Sequence, residues 1–367
     1  MRTKRLVWTA IAAVVVLLLT GTGIAYALRG GDDDEPQAAA APSSAPPSTA
    51  PSIPASPSPP PGADLTGPLD LLLIGVDTRV SVPDWQPHAD AIMLLHVEAG
   101  LRSGYLYSLP RDLRVDVPAF SKNGYPGGNH KLTEAMAYGA KVRGTDRANP
   151  AQGYELLART ISAYTGIKKF DAGAVLTFSG LAKLTDALGG VTLTIDRKVL
   201  SQHRKPDGTM RTLRPGGGGY LGPQAEYLPG TRKLVGWQAI DYARQRYGLP
   251  NGDYDRQKHQ RQLVKALLTQ AEDGGLATDT AKLEGVIKAM GETLLLSGER
   301  SAIEYAYALR DLPPSRMTLV DLPGDSVFNG GGYIGEQLLA DGRGFVRAVA
   351  AGKPREYLKS HPRLVSK

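Results

Sequence analysis

The stretch from Arg244 to Arg261, RQRYGLPNGDYDRQKHQR, sets Arg244, Arg246, Arg256, Lys258 and Arg261 against only two carboxylates, Asp253 and Asp255. Its central Leu-Pro-Asn-Gly turn divides it into the end of one helix and the start of another. Folding those ends together aims several guanidinium groups at one point, which suits a phosphate-bearing ligand. The competing reading is a solvated charged surface. Three further acids, Asp77, Asp90 and Asp112, fall at the ends of expected strands. Carboxylates that converge repel one another, so such a group commonly holds a hard cation such as Mg²⁺, with phosphate oxygens completing the shell. Taken singly, each reads better as a turn or cap residue. Arg111, beside Asp112, is either its ion-pair partner or a phosphate ligand.

Other chemistries find no support. The chain has no cysteine, which excludes disulfides, thiol nucleophiles and cysteine metal sites. Its six histidines form no HExxH pair, and there is no GxSxG elbow. Ser179 reads as a helix N-cap. The GGGG run at 216–219 lacks a following Lys-Ser/Thr and does not follow a strand, so it is not a nucleotide loop. His96 lies inside an apolar run and reads as a satisfied core histidine. Lys and Arg total 43 against 36 Asp and Glu, a net charge of +7. That excess fits an anionic ligand or surface better than a wrapped nucleic acid.

The elements that must position these residues alternate. LDLLLIGV (69–76) is a short apolar run that reads as a buried central strand, and it delivers Asp77, Thr78 and Arg79 to the strand's end. AIMLLHV (91–97) is a second strand, with Asp90 just before it; a third at 103–108 leads to Arg111 and Asp112 and then to 113–117. Helices are expected at 131–140 and at 150–165, the latter closed by Gly166. A strand through Thr177, a helix at 179–188 and a strand at 191–195 follow. Residues 196–233 read as a long Gly-rich loop over the site. Helices at about 236–246 and 255–270 flank the turn, and further elements are expected at 278–295, 300–311, 316–321 and 341–351. Strands alternating with helices at this spacing indicate a layered α/β fold. Val175, Leu176, Phe178, Leu181, Leu184 and Leu188 could line a groove for a lipid tail, although ordinary core explains their spacing better.

The amino terminus has a different character. Arg2, Lys4 and Arg5 precede a run from Leu6 to Leu28 without a charged residue, long enough to cross a bilayer as a helix. The basic flank places the N-terminus in the cytoplasm. Ala25-Tyr26-Ala27 resembles a signal-peptide cleavage site, but the run is long for a signal peptide, so an uncleaved anchor is expected. Residues 36–62 are nearly all Pro, Ala and Ser, an extended spacer. The globular part, from 65 to about 355 with a tail at 356–367, is expected outside the cytoplasmic membrane.

These residues resemble the LytR-CpsA-Psr family of cell-envelope phosphotransferases. The markers are LLLIGVDTR (71–79), ADAIMLL (89–95), SLPRDLRVDVP (108–118), HKLTEAMAYGA (130–140), FSGLAKLTDALGGV (178–191) and AIDYARQRYGLPNGDYDRQKHQRQ (239–262). The resemblance implies a single three-layer α-β-α domain with a central mixed sheet, preceded by one transmembrane helix. It implies transfer of a glycopolymer from a polyprenyl-pyrophosphate carrier to a peptidoglycan hydroxyl, assisted by Mg²⁺ or Mn²⁺, with pyrophosphate cleavage as a side activity. By resemblance Asp77 and Asp90 are the metal ligands. Arg79, Arg111, Lys131, Arg244, Arg246, Arg256 and Gln260 match the pyrophosphate-binding set, and Asp253 matches the acid between the arginines. Of these, Arg111, Arg244, Arg246 and Asp253 would take part in catalysis, with Asp90, Asp112 and Asp253 open as the base. Lys258 and Arg261 are then left as helix surface. The chain departs from the family at Ala89 and Ala91, where hydroxyl residues are usual, at His259, often Arg, and at Thr133, often Asn. A non-catalytic receptor for such lipids is the alternative. A nucleic-acid-binding regulator is disfavoured, because the anchor puts the basic stretch on the wrong side of the membrane.

Overall fold

The computed structural model describes residues 62–77, 86–275 and 294–366. The expected anchor and most of the spacer lie outside the described residues, as do Arg79 and most of the helix expected at 278–295. No helix among the described residues is long and apolar enough to cross a membrane.

Among the described residues, sixteen strands occur in chain order: β1 (Leu69–Asp77), β2 (His88–Val97), β3 (Gly104–Ser108), β4 (Arg114–Val117), β5 (Gly128–Lys131), β6 (Ala172–Thr177), β7 (Val191–Ile195), β8 (Val199–Leu200), β9 (Thr212–Leu213), β10 (Tyr220–Leu221), β11 (Glu226–Tyr227), β12 (Gly230–Leu234), β13 (Leu294–Gly298), β14 (Met317–Val320), β15 (Gly324–Asn329) and β16 (Gly332–Leu338). Six of them form the central sheet in the order β13-β6-β1-β2-β3-β14. β6 is parallel to β1 and β14 to β3, while the other pairs are antiparallel, so the sheet is mixed.

Successive side chains of a strand point to opposite faces, so an apolar run such as LDLLLIGV can feed two cores at once. Leu71 and Leu73 join Met93, Leu95 and Leu176 on one face. Leu72, Ile74 and Val76 join Ile92, Leu94 and Tyr107 on the other. Helices cover both. Helix α1 (Leu132–Ala140), α2 (Pro150–Thr165) and α7 (Ala340–Ala350) pack on the second face; α3 (Phe178–Ala187), α4 (Gly236–Arg244), α5 (Asp253–Asp273) and α6 (Ala302–Leu309) pack on the first. The three-layer arrangement expected from the resemblance is therefore present. His96 is the core histidine expected of it, 4% exposed with Nδ1 2.8 Å from Asp70 Oδ1.

Local signals set some boundaries. Asn149 accepts from the backbone N–H groups of Ala151 and Gln152, Pro150 opens α2, and Gly166 closes it in the left-handed conformation. The cap of α3 is Thr177, whose hydroxyl accepts from Gly180 N–H; Ser179, expected there, lies inside the first turn.

Two stretches differ from expectation. Residues 196–233 form an antiparallel arm, with β7 pairing β12, β8 pairing β11 and β9 pairing β10. Arg211 braces it by donating to the carbonyls of Gln202, Tyr220 and Gly222. Apart from the β9–β10 hairpin, these pairs join residues distant in sequence and leave little local trace. Residues 356–366 are no loose tail. Helix α8 (Pro354–Ser360) spans the expected boundary, Leu358 and Leu364 are buried, and Ser366 N–H donates to Leu319 O beside β14.

Candidate active site

One edge of the sheet gathers the functional side chains. β1 ends there in Asp77, β6 runs into Phe178, β3 leads to Arg111, and β2 begins there. The register of β1 and β2 slips at this point: Gly75 faces Ala91 and Val76 faces Ala89, leaving Asp90 as the extra residue of a bulge. A bulge re-aims a side chain that regular pleating would fix.

Asp90 meets Arg111, whose Nη1 donates to Asp90 Oδ1 at 2.5 Å. Arg111 Nε lies 3.9 Å from both Asp112 Oδ2 and Asp253 Oδ1. Burial works against the Arg111 charge, but Asp90, Asp112 and Asp253 together outweigh it and raise its pKa. Helix α5 supplies the next group. Asp253, Arg256 and Gln260 recur at helical spacing and so share a face. Arg256 is 6% exposed, forms an ion pair with Asp253 Oδ1 at 2.8 Å and donates to the Asp90 carbonyl at 2.9 Å. Its pKa is lowered, chiefly by burial and with Asp253 opposing; a guanidinium nonetheless stays charged. Gln257 donates to the other Asp253 oxygen at 3.2 Å.

Arg244, the last residue of α4, lies 3.6 Å from Asp77 Oδ2, with its guanidinium 4.2 Å over the Phe178 ring. Lys131, at the N-cap of α1, lies 3.5 Å from Asp112 Oδ1. Arg246 stands further out, donating to the exposed Tyr247 hydroxyl at 3.1 Å, yet near enough to Arg256 to affect its charge. Among the described residues, three buried donors in this cluster, Arg111 Nε, Arg256 Nε and Gln260 Nε2, find no hydrogen-bond partner, nor does the acceptor Asp253 Oδ1. Buried donors normally have partners, so an anion is the natural completion.

An apolar pocket of about 50 Å³ opens beside the cluster, lined by Leu176, Phe178, Leu181, Ile240 and Val264 and bounded by Arg244 and Gln260. Of the residues expected to line a lipid groove or the core, Leu176, Phe178 and Leu181 face this pocket, while Val175 and Leu184 are core. Gly75 forms its wall: a Cβ there would lie 3.0 Å from Ala91 Cβ. A wider cavity of about 440 Å³ on the far side of Arg244 is lined by Asp77, Trp237 and Asp241 and by His203, Arg204 and Met210 of the arm.

Arg261, expected at the helix surface, is buried at 2% exposure and pairs with Asp321 beyond β14. Arg261 therefore sits in the fold but outside the cluster. Lys258 lies 3.9 Å from Asp196 and also faces away. Among residues not singled out by sequence, Tyr333 and Glu336 of β16 reach Asp112 and its neighbours. Their only local signal is a Gly-rich hairpin turn at 330–332.

Among the described residues no three His, Cys, Asp or Glu side chains converge as a metal site. Mg²⁺, however, is commonly held by one or two carboxylates with substrate phosphates, and Asp77 and Asp90 at adjacent strand ends fit that donor set.

The fold is thus a three-layer α/β sandwich with a guanidinium cluster at one sheet edge, beside an apolar pocket. The LytR-CpsA-Psr family model matches residues 35–341, and the chain belongs to that family. It is 28% identical over 256 residues to Biofilm regulatory protein A of Streptococcus mutans, covering 67% of this chain and 55% of that protein. It is 27% identical over 290 residues to the cell wall biosynthesis protein LcpA of Corynebacterium glutamicum, covering 73% and 52%. Over 201 residues it is 28% identical to the polyisoprenyl-teichoic acid–peptidoglycan teichoic acid transferase TagU of Enterococcus faecalis, covering 55% and 53%. The chain thus spans about half the length of the curated relatives it matches. Similar folds include a Streptococcus agalactiae protein (TM-score 0.59, 23% identity, 82% of this chain and 89% of that one). TagT bound to LI-WTA is another (TM-score 0.53, 21% identity, 79% and 89%).

Proposed function

We propose that the protein is an extracytoplasmic phosphotransferase, held to the cell membrane by a single span at residues 6–28. It moves an anionic glycopolymer from a polyprenyl-pyrophosphate carrier to a peptidoglycan hydroxyl. The acceptor oxygen attacks the sugar-linked phosphorus, and the bond from that phosphorus to the bridging oxygen breaks. The electron pair leaves with polyprenyl phosphate, and the acceptor proton passes to a carboxylate. The product is a phosphodiester; water in place of the acceptor gives pyrophosphate cleavage as a side reaction.

One observation carries this reading. The apolar pocket ends at Arg244 and Gln260, within the cluster whose buried N–H donors lack protein partners. A ligand with an apolar tail and an anionic head satisfies both. At about 50 Å³ the pocket admits only a few water-sized groups, so a prenyl chain must part α3 from α4 as it enters. Arg111, Arg244 and Arg256 hold the pyrophosphate oxygens, with Lys131 and Arg246 at the margins. In phosphoryl transfer, positioning and charge neutralisation supply most of the catalysis. Asp77 and Asp90 would hold Mg²⁺, or Mn²⁺, which when bound neutralises charge growing on the leaving phosphate. TagU, named as a teichoic acid transferase, supports the same class of reaction.

A lipid receptor without catalysis would use the same pocket. The two separate in a mixture of the full-length protein, a polyprenyl-pyrophosphate disaccharide and peptidoglycan. Transfer releases polyprenyl phosphate in step with acceptor added; release that ignores the acceptor, or no release, contradicts it.

A further inference from the structure

Transfer needs a second substrate, and the donor's apolar tail takes only one side of the cluster. Arg244, Phe178 and the apolar pocket stand at the β6 and β1 ends of the sheet edge. Arg111 and Asp112 follow β3, and a hairpin made of β15 and β16 docks just beyond them. Glu336 N–H donates to the Asp112 carbonyl at 2.8 Å, and Glu336 bridges to Leu113. The approach is close enough to require glycine at 335, where φ is +152° and a Cβ would lie 2.6 Å from Asp112 O.

The hairpin presents two aromatic rings outward. Phe328 and Tyr333 are cross-strand partners, 62% and 42% exposed, with ring centroids 6.0 Å apart. Lys131 Nζ lies 4.7 Å over the Tyr333 ring. The Tyr333 hydroxyl donates to Glu336 Oε1 at 2.9 Å and, more weakly, to Asp112 Oδ2 at 3.4 Å. Burial, then Asp112 and Glu336, raise its pKa, so it remains a donor. Tyr254 and Ser326 also donate to Glu336. Of the three acids that could take the acceptor proton, Asp90 is bound to Arg111 at 2.5 Å and Asp253 to Arg256 at 2.8 Å. Asp112 is held more loosely, by Tyr333 at 3.4 Å, Lys131 at 3.5 Å and Arg111 at 3.9 Å.

We propose that this hairpin is the acceptor subsite. Phe328 and Tyr333 stack on a sugar of a peptidoglycan glycan strand, and Asp112 takes the proton of the attacking hydroxyl. Aromatic faces are electron-rich and favour the C–H-bearing faces of sugars. Residues 324–338 carry Asp325 and Glu336 but no Lys or Arg, which disfavours an anionic membrane surface as the occupant. The assignment of Asp112 rests on the transfer reading above; the glycan surface does not.

The test titrates the full-length protein in detergent micelles, by calorimetry, with uncross-linked peptidoglycan glycan fragments and separately with a short-chain polyprenyl pyrophosphate. Phe328→Ala combined with Tyr333→Ala should weaken glycan binding about tenfold or more, roughly the loss of its stacking contacts. Pyrophosphate binding should stay within about threefold, and the variant should remain folded by circular dichroism. Tyr333→Phe keeps the ring, so glycan binding should stay within about threefold while the transfer rate falls. Unaltered glycan binding by the double variant, or none by the unsubstituted protein, overturns the proposal. Glycan binding without pyrophosphate binding instead overturns the transfer reading and leaves the glycan surface standing. If Phe328→Ala weakens binding of a soluble short-chain anionic phospholipid but not of glycan, the hairpin is a membrane contact and the proposal fails.

Discussion

The two halves of the sheet's functional edge are built from opposite materials. At the β6 and β1 ends, one guanidinium, Arg244, lies over an aromatic ring at the mouth of an apolar pocket, with Asp77 beside it. At the β2 and β3 ends, Arg111, Lys131 and Arg256 are interleaved with Asp90, Asp112 and Asp253, and aromatic rings face outward. From β6 to β3 is three strand spacings, roughly 14 Å. An apolar wall under a cation retains an amphiphile, whereas balanced charges with an open rim favour a polar partner that comes and goes. Under the proposed transfer, the difference would set the lipid tail on one side and the entering hydroxyl on the other, with the pyrophosphate held between them.

The largest effect should come from the acceptor half. Asp112→Asn removes the proposed base and should lower transfer by about 10²–10⁴, with donor affinity retained in a binding assay. Equal loss of both would merge the two halves into one function. Arg244→Ala should lower transfer by about 10²–10³ and weaken donor binding as well. Full transfer by a folded Arg244→Ala protein would remove this arginine from the site.

Acid should strain the donor half through His259. This residue, 2% exposed, stacks on Tyr242 of α4 at 4.5 Å and so ties α5 to α4. Burial lowers its pKa from 6.5 to about 4. The unfolded chain takes the proton first, so the stabilisation is whole above about pH 6.5 and is lost as pH falls toward 4, about 3 kcal/mol at most. Denaturant melts at pH 7 and pH 4.5 should show this loss, and His259→Phe should reduce it. The smallest effect concerns the pocket itself. Ala91→Leu narrows it and should weaken binding of a long-chain donor on the order of tenfold, while short-chain donors are spared. Equal weakening of both would show that the tail lies elsewhere.

Much of the fold was legible because its signals are local. The apolar runs at 69–76 and 91–97 could only be buried strands, and Asn149, Pro150 and Gly166 mark the ends of α2 within a few residues of chain. The arginines of 244–261 announced an anion site but not its membership. Arg256 and Arg261 read alike in sequence, yet one faces the cluster and the other pairs with Asp321, a choice made by packing against β14. The bulge at Asp90 depends on the register between two strands. The docking of residues 324–338 on Asp112 joins segments more than two hundred positions apart, and no short-range pattern encodes it. The paired arm at 196–233 was hidden for the same reason.

A crystal structure of the protein with a short-chain polyprenyl-pyrophosphate disaccharide tests the central claim most directly. The account places the pyrophosphate on Arg111, Arg244 and Arg256, the chain between α3 and α4, and the sugar-linked phosphorus open toward Asp112. Pyrophosphate bound away from these arginines, or a chain lying outside the apolar pocket, would contradict it.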